Sequence, residues 1–199
     1  YRDFPERLEQ MFADRVKEEK ELDHWRYDMM GQTMLIRNSE GDYSPAHRSL
    51  LEFFAAYKIV ASLGVLAEDF TTVAQDQSHL DHDLLAQDYT WNKYFERECS
   101  ESGEPVKIAA LSKFIRLSFN ELLPIVGRAK LANAVLDLAH PMMKEKMKDS
   151  LLSLVQATSD SAMNVSGYLG GNVVQLMLSK TPYALVDADL RGTKLRGVK

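Results

Sequence analysis

The sequence has one cysteine, Cys99, among 199 residues. No disulfide can therefore form within the chain, and a reducing, cytoplasmic setting is the simplest expectation. No apolar run approaches the roughly 18–20 residues needed to span a bilayer. The opening YRDFPERLEQ has no basic start followed by an apolar stretch, so it is not a signal peptide. Phosphate-loop chemistry is missing too. No G-x-x-x-x-G-K-[ST] occurs, and the glycine-rich GYLGGN at 167–172 has no lysine to reach a phosphate. Positive charge is outnumbered, with 24 Lys and Arg against 29 Asp and Glu and a net charge of −5. That balance disfavours broad nucleic-acid binding, which needs a positive surface to release counterions.

What is present is the composition of a globular protein, 45% hydrophobic and 27% charged. The length suffices for one large or two small domains with a proper core. Neither end reads as a natural boundary. The first residue is not Met, and LRGTKLRGVK stops inside a repeat.

Leu8, Met11, Phe12 and Val16 have the spacing of an amphipathic helix over about 4–20. A second helix is predicted over Leu22–Met30, ended by Gly31. TMLIRN, the turn-forming SEGD and Tyr43–Ser44 then read as a β-hairpin. Helices followed by a hairpin fit either a winged helix or an α/β connection of no special type. The clearest helix follows. Leu50, Phe53, Phe54, Tyr57, Val60 and Ala61 keep one helical face. Ser49 with Glu52 three residues on has the form of a capping box, and Pro45 could start the helix a turn earlier.

Residues 68–104 are polar, with a short helix expected at Trp91, Tyr94 and Phe95 and the most irregular backbone around Cys99–Glu104. Three helices are predicted beyond Pro105. They are lined by Ile108, Leu111, Ile115, Phe119 and Leu122; by Leu131, Val135 and Leu138; and by Met143, Met147, Leu151, Leu154 and Val155. Asn172 is expected to N-cap VVQLMLSK, with the preceding glycines allowing close backbone approach. The final YALVD-ADLRG-TKLRG repeats every five residues, with Leu185, Leu190 and Leu195 equivalent. A five-residue period fits neither a helical face nor strand alternation. It fits a solenoid that turns one corner per repeat.

Other residues are weighed and set aside. Gln77, Ser78, His79, Leu80, Asp81 and His82 resemble the metallo-hydrolase pattern H-x-H-x-D-H with its first His replaced by Gln, and five His in total leave little for a second metal shell. No metal site is expected. Cys99 has no ligand partners at metal spacing, and His24–Trp25 reads as helix packing. Arg191, Lys194, Arg196 and Lys199 read as the solvated corners of the repeat.

YSPAHRSLLEFFAAY at 43–57 resembles the segment that follows the winged helix in NACHT-type STAND NTPases, a family that includes animal NLR receptors and bacterial antiviral relatives. His47, Arg48, Ser49, Glu52, Phe53, Phe54, Ala55, Ala56 and Tyr57 carry the match, while Pro45 stands where the family has a bulky apolar residue. TMLIRNSEGDYS looks like the hairpin before that motif. GYLGGNVVQLML with ADLRG looks like bacterial members whose helical region runs into pentapeptide repeats.

The resemblance implies a mainly α chain: a winged-helix segment at 1–48, a helical domain at 49–180, and the first coil of a pentapeptide-repeat β-solenoid at 181–199. It implies a non-catalytic regulatory or relay segment of a defence or signalling protein that oligomerises on activation. The parent's ATPase core, with ATP or ADP and Mg, would lie upstream and contact this segment in cis. This segment itself would hold no cofactor and enter no membrane. His47 would contact the β-phosphate of bound ADP, and an imidazole nitrogen can donate to that oxygen. Ser49, Glu52, Phe53 and Phe54 would be structural. A protein ligand on the helices or repeats is compatible with this reading. The alternatives are a winged-helix DNA-binding protein, disfavoured by Asp23 and Asp28 against Arg26 in the would-be recognition helix, and a helical protein-interaction scaffold.

Overall fold

The structure, a computed structural model, describes residues 35–37, 39–75, 80–96, 98–103, 106–160 and 163–198. The helices predicted over 4–20 and Leu22–Met30, and Gln77, Ser78 and His79, lie outside the described residues. The chain divides into two compact units between Leu51 and Glu52. The described part is mainly helical with small sheets.

In the first unit, β1 (Leu35–Arg37) pairs antiparallel with β2 (Tyr43–Pro45), with Ile36 opposite Ser44. Gly41 takes φ 94° in the connecting turn, a conformation open to glycine at no steric cost. The hairpin expected from SEGD is present.

Helix α1 spans Arg48–Ser62. Its second half is buried nearly all round, at Ala56, Tyr57, Ile59, Val60 and Ala61. Phe53 is half-buried, but Phe54 is 53% exposed. The expected Phe53–Phe54 stripe is corrected accordingly: Phe53 stacks on Tyr57 at 6.4 Å, and Phe54 stays largely in solvent. At the far end Gly64 turns the chain with φ 68°, and a Cβ there would come within 2.5 Å of Arg116 N.

Helix α2 (Glu68–Gln75) leads to a region where the structure departs from the helical expectation. Strand β3 (Leu80–Asp81) pairs parallel with β5 (Ile108–Ala109), and β4 (Gln87–Tyr89) pairs parallel with β6 (Leu111–Phe114). Ile108 and Leu111 therefore lie in strands, not in a helix, and Ile115 follows the last strand outside any helix. Short apolar runs do not separate the two states, and β-branched residues favour the strand. The crossover contains α3 (Trp91–Phe95), the short helix expected from its aromatic spacing. Trp91, Tyr94 and Phe95 close on Phe114, with Trp91 also meeting Tyr57 edge-on at 5.8 Å. Such aromatic pairs contribute about 0.5–1.5 kcal/mol beyond their buried area.

Helix α4 (Phe119–Leu122) runs into a π-helical turn over Leu123–Gly127, with Pro124 at its start. Then follow α5 (Asn133–Met142), α6 (Lys148–Ala157), a 3-10 turn at Thr158–Asp160, α7 (Met163–Ser166) and α8 (Leu169–Lys180). Helix α8 is the centre of this half, packing on both α5 and α6. Leu169, Val173, Leu176 and Met177 are completely buried, and each such side chain contributes about 1.5–3 kcal/mol relative to exposure.

Residues 182–198 form a run of turns with no closed coil and no regular strand among the described residues, so the β-solenoid coil expected over 181–199 is not seen there.

Candidate functional site

Three places hold the residues that the sequence singles out. The first is the start of α1. Arg48 is the first helical residue, and the Leu50 N–H donates to the His47 carbonyl at 3.0 Å. Ser49 is therefore inside the first turn and not at the cap position, which falls to His47. The helix starts two residues earlier than a capping box at Ser49 and Glu52 requires. The His47 side chain is exposed and has no hydrogen-bond partner among the described residues.

A complete capping box does occur, at a place the sequence reading took for helix interior. The Ser118 hydroxyl and N–H both donate to Glu121 Oε2, at 2.6 and 3.0 Å, and the Glu121 N–H returns to Ser118 Oγ at 3.4 Å. The Ser118 contacts hold the Glu121 carboxyl below its ordinary range. The Ser-x-x-Glu pattern at 118–121 was the available signal.

The second place is Asn172. Helix α8 begins at Leu169, so Asn172 sits within its first turn and is not its N-cap. Its side chain is 1% exposed and serves a distant loop instead. Nδ2 donates to the carbonyls of Val126 and Ala129 at 2.6 and 2.7 Å, and Oδ1 accepts from the Leu131 N–H at 3.1 Å. One amide thus satisfies three backbone groups left over where the π-helical turn unwinds. Beside it, Tyr168 N donates to Gly127 O at 2.9 Å, and a Cβ on Gly167 would lie 2.4 Å from that same oxygen. Sequence alone showed none of this, because the partners lie more than 40 residues away.

The third place is the five-residue repeat. Ala188 N donates to Leu185 O at 3.1 Å, Thr193 N to Leu190 O at 3.2 Å and Val198 N to Leu195 O at 3.4 Å. The third residue of each turn has positive φ: Asp187 at 61°, Gly192 at 73° and Gly197 at 90°. Turns of type II require that conformation at this place, and Asp is among the few other residues that tolerate it. Hydrogen bonds and dihedrals thus share the period of the leucines.

These turns lie against α6, α8 and the residue that follows α6. Lys148 Nζ donates to Val186 O at 3.2 Å, and Gln156 Nε2, two helical turns along, donates to Asp189 O at 3.2 Å. Thr158 Oγ1 accepts from the Lys194 N–H at 2.9 Å while donating to Val155 O at 2.6 Å. From α8, Gln175 Nε2 donates to Gly197 O at 3.2 Å. The contact is closest at the two glycines of α8. A Cβ on Gly170 would stand 2.3 Å from Lys194 O, and one on Gly171 2.0 Å from Arg196 O. The close backbone approach expected of these glycines is present, although they lie inside the helix and not before it.

Two arginines of the basic tail have side-chain partners. Arg191 grips Asp189 through two nitrogens, at 2.9 and 2.7 Å, which lowers the Asp189 carboxyl below its usual range. The Arg196 guanidinium lies 4.6 Å over the Tyr168 ring, within cation–π range. Cys99 is exposed, and the Asp81 carboxylate accepts from the Asp83 N–H in a local turn. Among the described residues no cluster of His, Cys, Asp and Glu could hold a metal, and no helix is long and apolar enough to cross a membrane.

The chain is similar to an uncharacterized WD repeat-containing protein of Nostoc sp. (strain PCC 7120), with 46% identity over 197 residues. The match covers 99% of this chain and 13% of that relative, so the chain spans about an eighth of its length. No family model matches the chain. No solved structure matches it either.

Proposed function

We propose that this chain is a non-catalytic regulatory or relay segment of a NACHT-type signal-transduction NTPase, in which a nucleotide-sensing helix start and a five-residue repeat are joined by a helical body. The observation that carries the reading is the pairing of two features in one chain. The YSPAHRSLLEFFAAY motif begins in the second strand of a β-hairpin and runs into a helix, and a turn repeat of five-residue period lies on the helices beyond. Each is an expectation of the family resemblance.

In this reading His47 donates to the β-phosphate of ADP held by an upstream ATPase core in the same protein, with Mg supplied there. The imidazole at the helix start is exposed, as that task requires. The turns over 185–198 are the first coil of a pentapeptide-repeat solenoid. Strain between the two ends passes through the helical body when the nucleotide state changes, as a switch requires. The parent works in bacterial defence or signalling, in the cytoplasm, and oligomerises on activation.

The test is His47→Ala in the intact parent protein. Loss of the clamp raises basal oligomerisation without lowering the melting temperature. Unchanged oligomerisation together with a lowered melting temperature makes His47 structural and removes the clamp.

A further inference from the structure

Three segments far apart in sequence, 122–136, 161–179 and 190–198, contain none of the chain's 29 Asp and Glu, yet hold Arg128, Lys130, Arg191, Lys194 and Arg196. The fold brings them to one place. Asn172 holds the Ala129 carbonyl at 2.7 Å and the Leu131 N–H at 3.1 Å, so 129–131 lie against the start of α8. Arg196 lies 4.6 Å over the ring of Tyr168, the residue before that helix. A Cβ on the neighbouring Gly197 would stand 3.0 Å from the same ring and 3.7 Å from Lys130 Cδ. Arg128 is on the backbone that adjoins them, beside Gly127, whose carbonyl accepts from the Tyr168 N–H. Arg128, Lys130 and Arg196 are exposed, and among the described residues none has a carboxylate within ion-pair distance. Arg191 differs, because Asp189 meets its charge. The first turn of α8 supplies no acidic residue to offset the other three.

Three uncompensated cations around one aromatic ring concentrate positive potential on a chain whose net charge is −5. That net charge opposes nucleic-acid binding spread over the whole surface, but a local patch can still take phosphates. Arg196 narrows the class of anion. An arginine held over an aromatic ring is a platform on which an unpaired base stacks. A duplex keeps its base faces inside its own stack, and an acidic peptide brings carboxylates without rings. A single strand uses both the charges and the platform.

We infer that Arg128, Lys130 and Arg196, gathered around Tyr168, form a binding surface for single-stranded nucleic acid. The three cations hold phosphates, and a base stacks on Arg196. The surface takes phosphates and ring faces, so binding is independent of base sequence. The inference goes beyond the nucleotide assignment at His47 and does not rest on it. Three phosphate contacts on a single strand give a slope of log affinity against log salt of about −2.

The test is fluorescence anisotropy of a labelled oligothymidine of about 20 nucleotides, longer than single-strand sites usually are, titrated with the full chain. Binding is expected with a dissociation constant of roughly 1–100 μM, weakening by about 20-fold between about 50 and 200 mM salt. Replacing Arg128, Lys130 and Arg196 together by Gln weakens it by roughly tenfold or more, with the melting temperature near the parent's because all three are exposed. Lys130→Gln alone reduces the salt slope by about 0.7, which keeps the test decisive if the triple variant fails to fold. Arg196→Lys keeps the charge but loses the platform, and weakens binding by roughly fivefold or more. Arg191→Gln, whose parent side chain is already paired, leaves binding as it was. No anisotropy change up to about 100 μM protein, or full binding by the folded triple variant, overturns the inference. If polyglutamate competes as well as unlabelled oligothymidine and Arg196→Lys binds like the parent, the occupant is an acidic protein segment instead. Tighter binding of a duplex of the same length removes the single-strand assignment.

Discussion

Replacing Asn172 tests the hub on which the helical half depends. In Asn172→Ala, the carbonyls of Val126 and Ala129 and the N–H of Leu131 lose their partners together. A typical hydrogen bond contributes about 0.5–1.5 kcal/mol net, and a buried group left unpaired costs about 1–3 kcal/mol. Water can reach part of the opened loop, since Ala129 is exposed. A total loss of about 2–5 kcal/mol is therefore expected. For a chain of this size that lowers the melting temperature by roughly 5–15 °C. Asn172→Asp separates this role from a helix cap. Asp caps a helix as well as Asn does, so a capping residue would tolerate the change. Here a carboxylate oxygen would face the two carbonyls that Nδ2 now serves, and the loss should equal or exceed that of Ala. Urea unfolding of the three proteins, at constant m, measures it. An Asp variant within about 0.5 kcal/mol of the parent, the usual range for surface changes, would refute the clamp.

Two further predictions concern pH. Burial raises the Tyr57 hydroxyl to about 12 from its ordinary 10.0, with Tyr94 adding to the shift. The folded state holds Tyr57 neutral while the unfolded chain ionises it, so its contribution is intact below pH 10.0 and is lost as pH climbs toward about 12. Alkaline unfolding followed by phenolate absorbance should begin later in Tyr57→Phe, and an unchanged onset would contradict the burial. Glu121 behaves oppositely, because Ser118 lowers its carboxyl. Its contribution is present above the ordinary 4.5 and disappears as acid protonates it. Ser118→Ala should flatten the acid limb of the stability curve, and a limb as steep as the parent's would count against the cap.

How much of this was legible in the sequence varies with the range of the interaction. The hairpin could be read because its turn residues and both strands lie within a dozen positions. The five-residue repeat could be read because each period marks itself with leucine, and two of the three turns carry glycine at the positive-φ place. Strands β3 to β6 could not. Each is two to four residues long, and each pairs with a partner more than 20 residues away, so neither alternation nor a local turn announces it. Asn172 was noticed for the wrong reason. Its amide suits a helix cap as well as a loop clamp, and only the packing of 126–131 against α8 decides between them. His47 precedes the first helical residue, with its ring exposed, a placement the sequence did not specify.

The most direct measurement is ADP affinity in the intact parent protein, by calorimetry, with His47→Ala and His47→Gln. A hydrogen bond to a charged phosphate is worth about 1.5–3 kcal/mol. His47→Ala should therefore weaken ADP binding by roughly 10- to 150-fold, and Gln, whose amide can still donate, should recover part of it. Equal ADP affinity in all three proteins would contradict the assignment of this chain as the nucleotide-sensing segment.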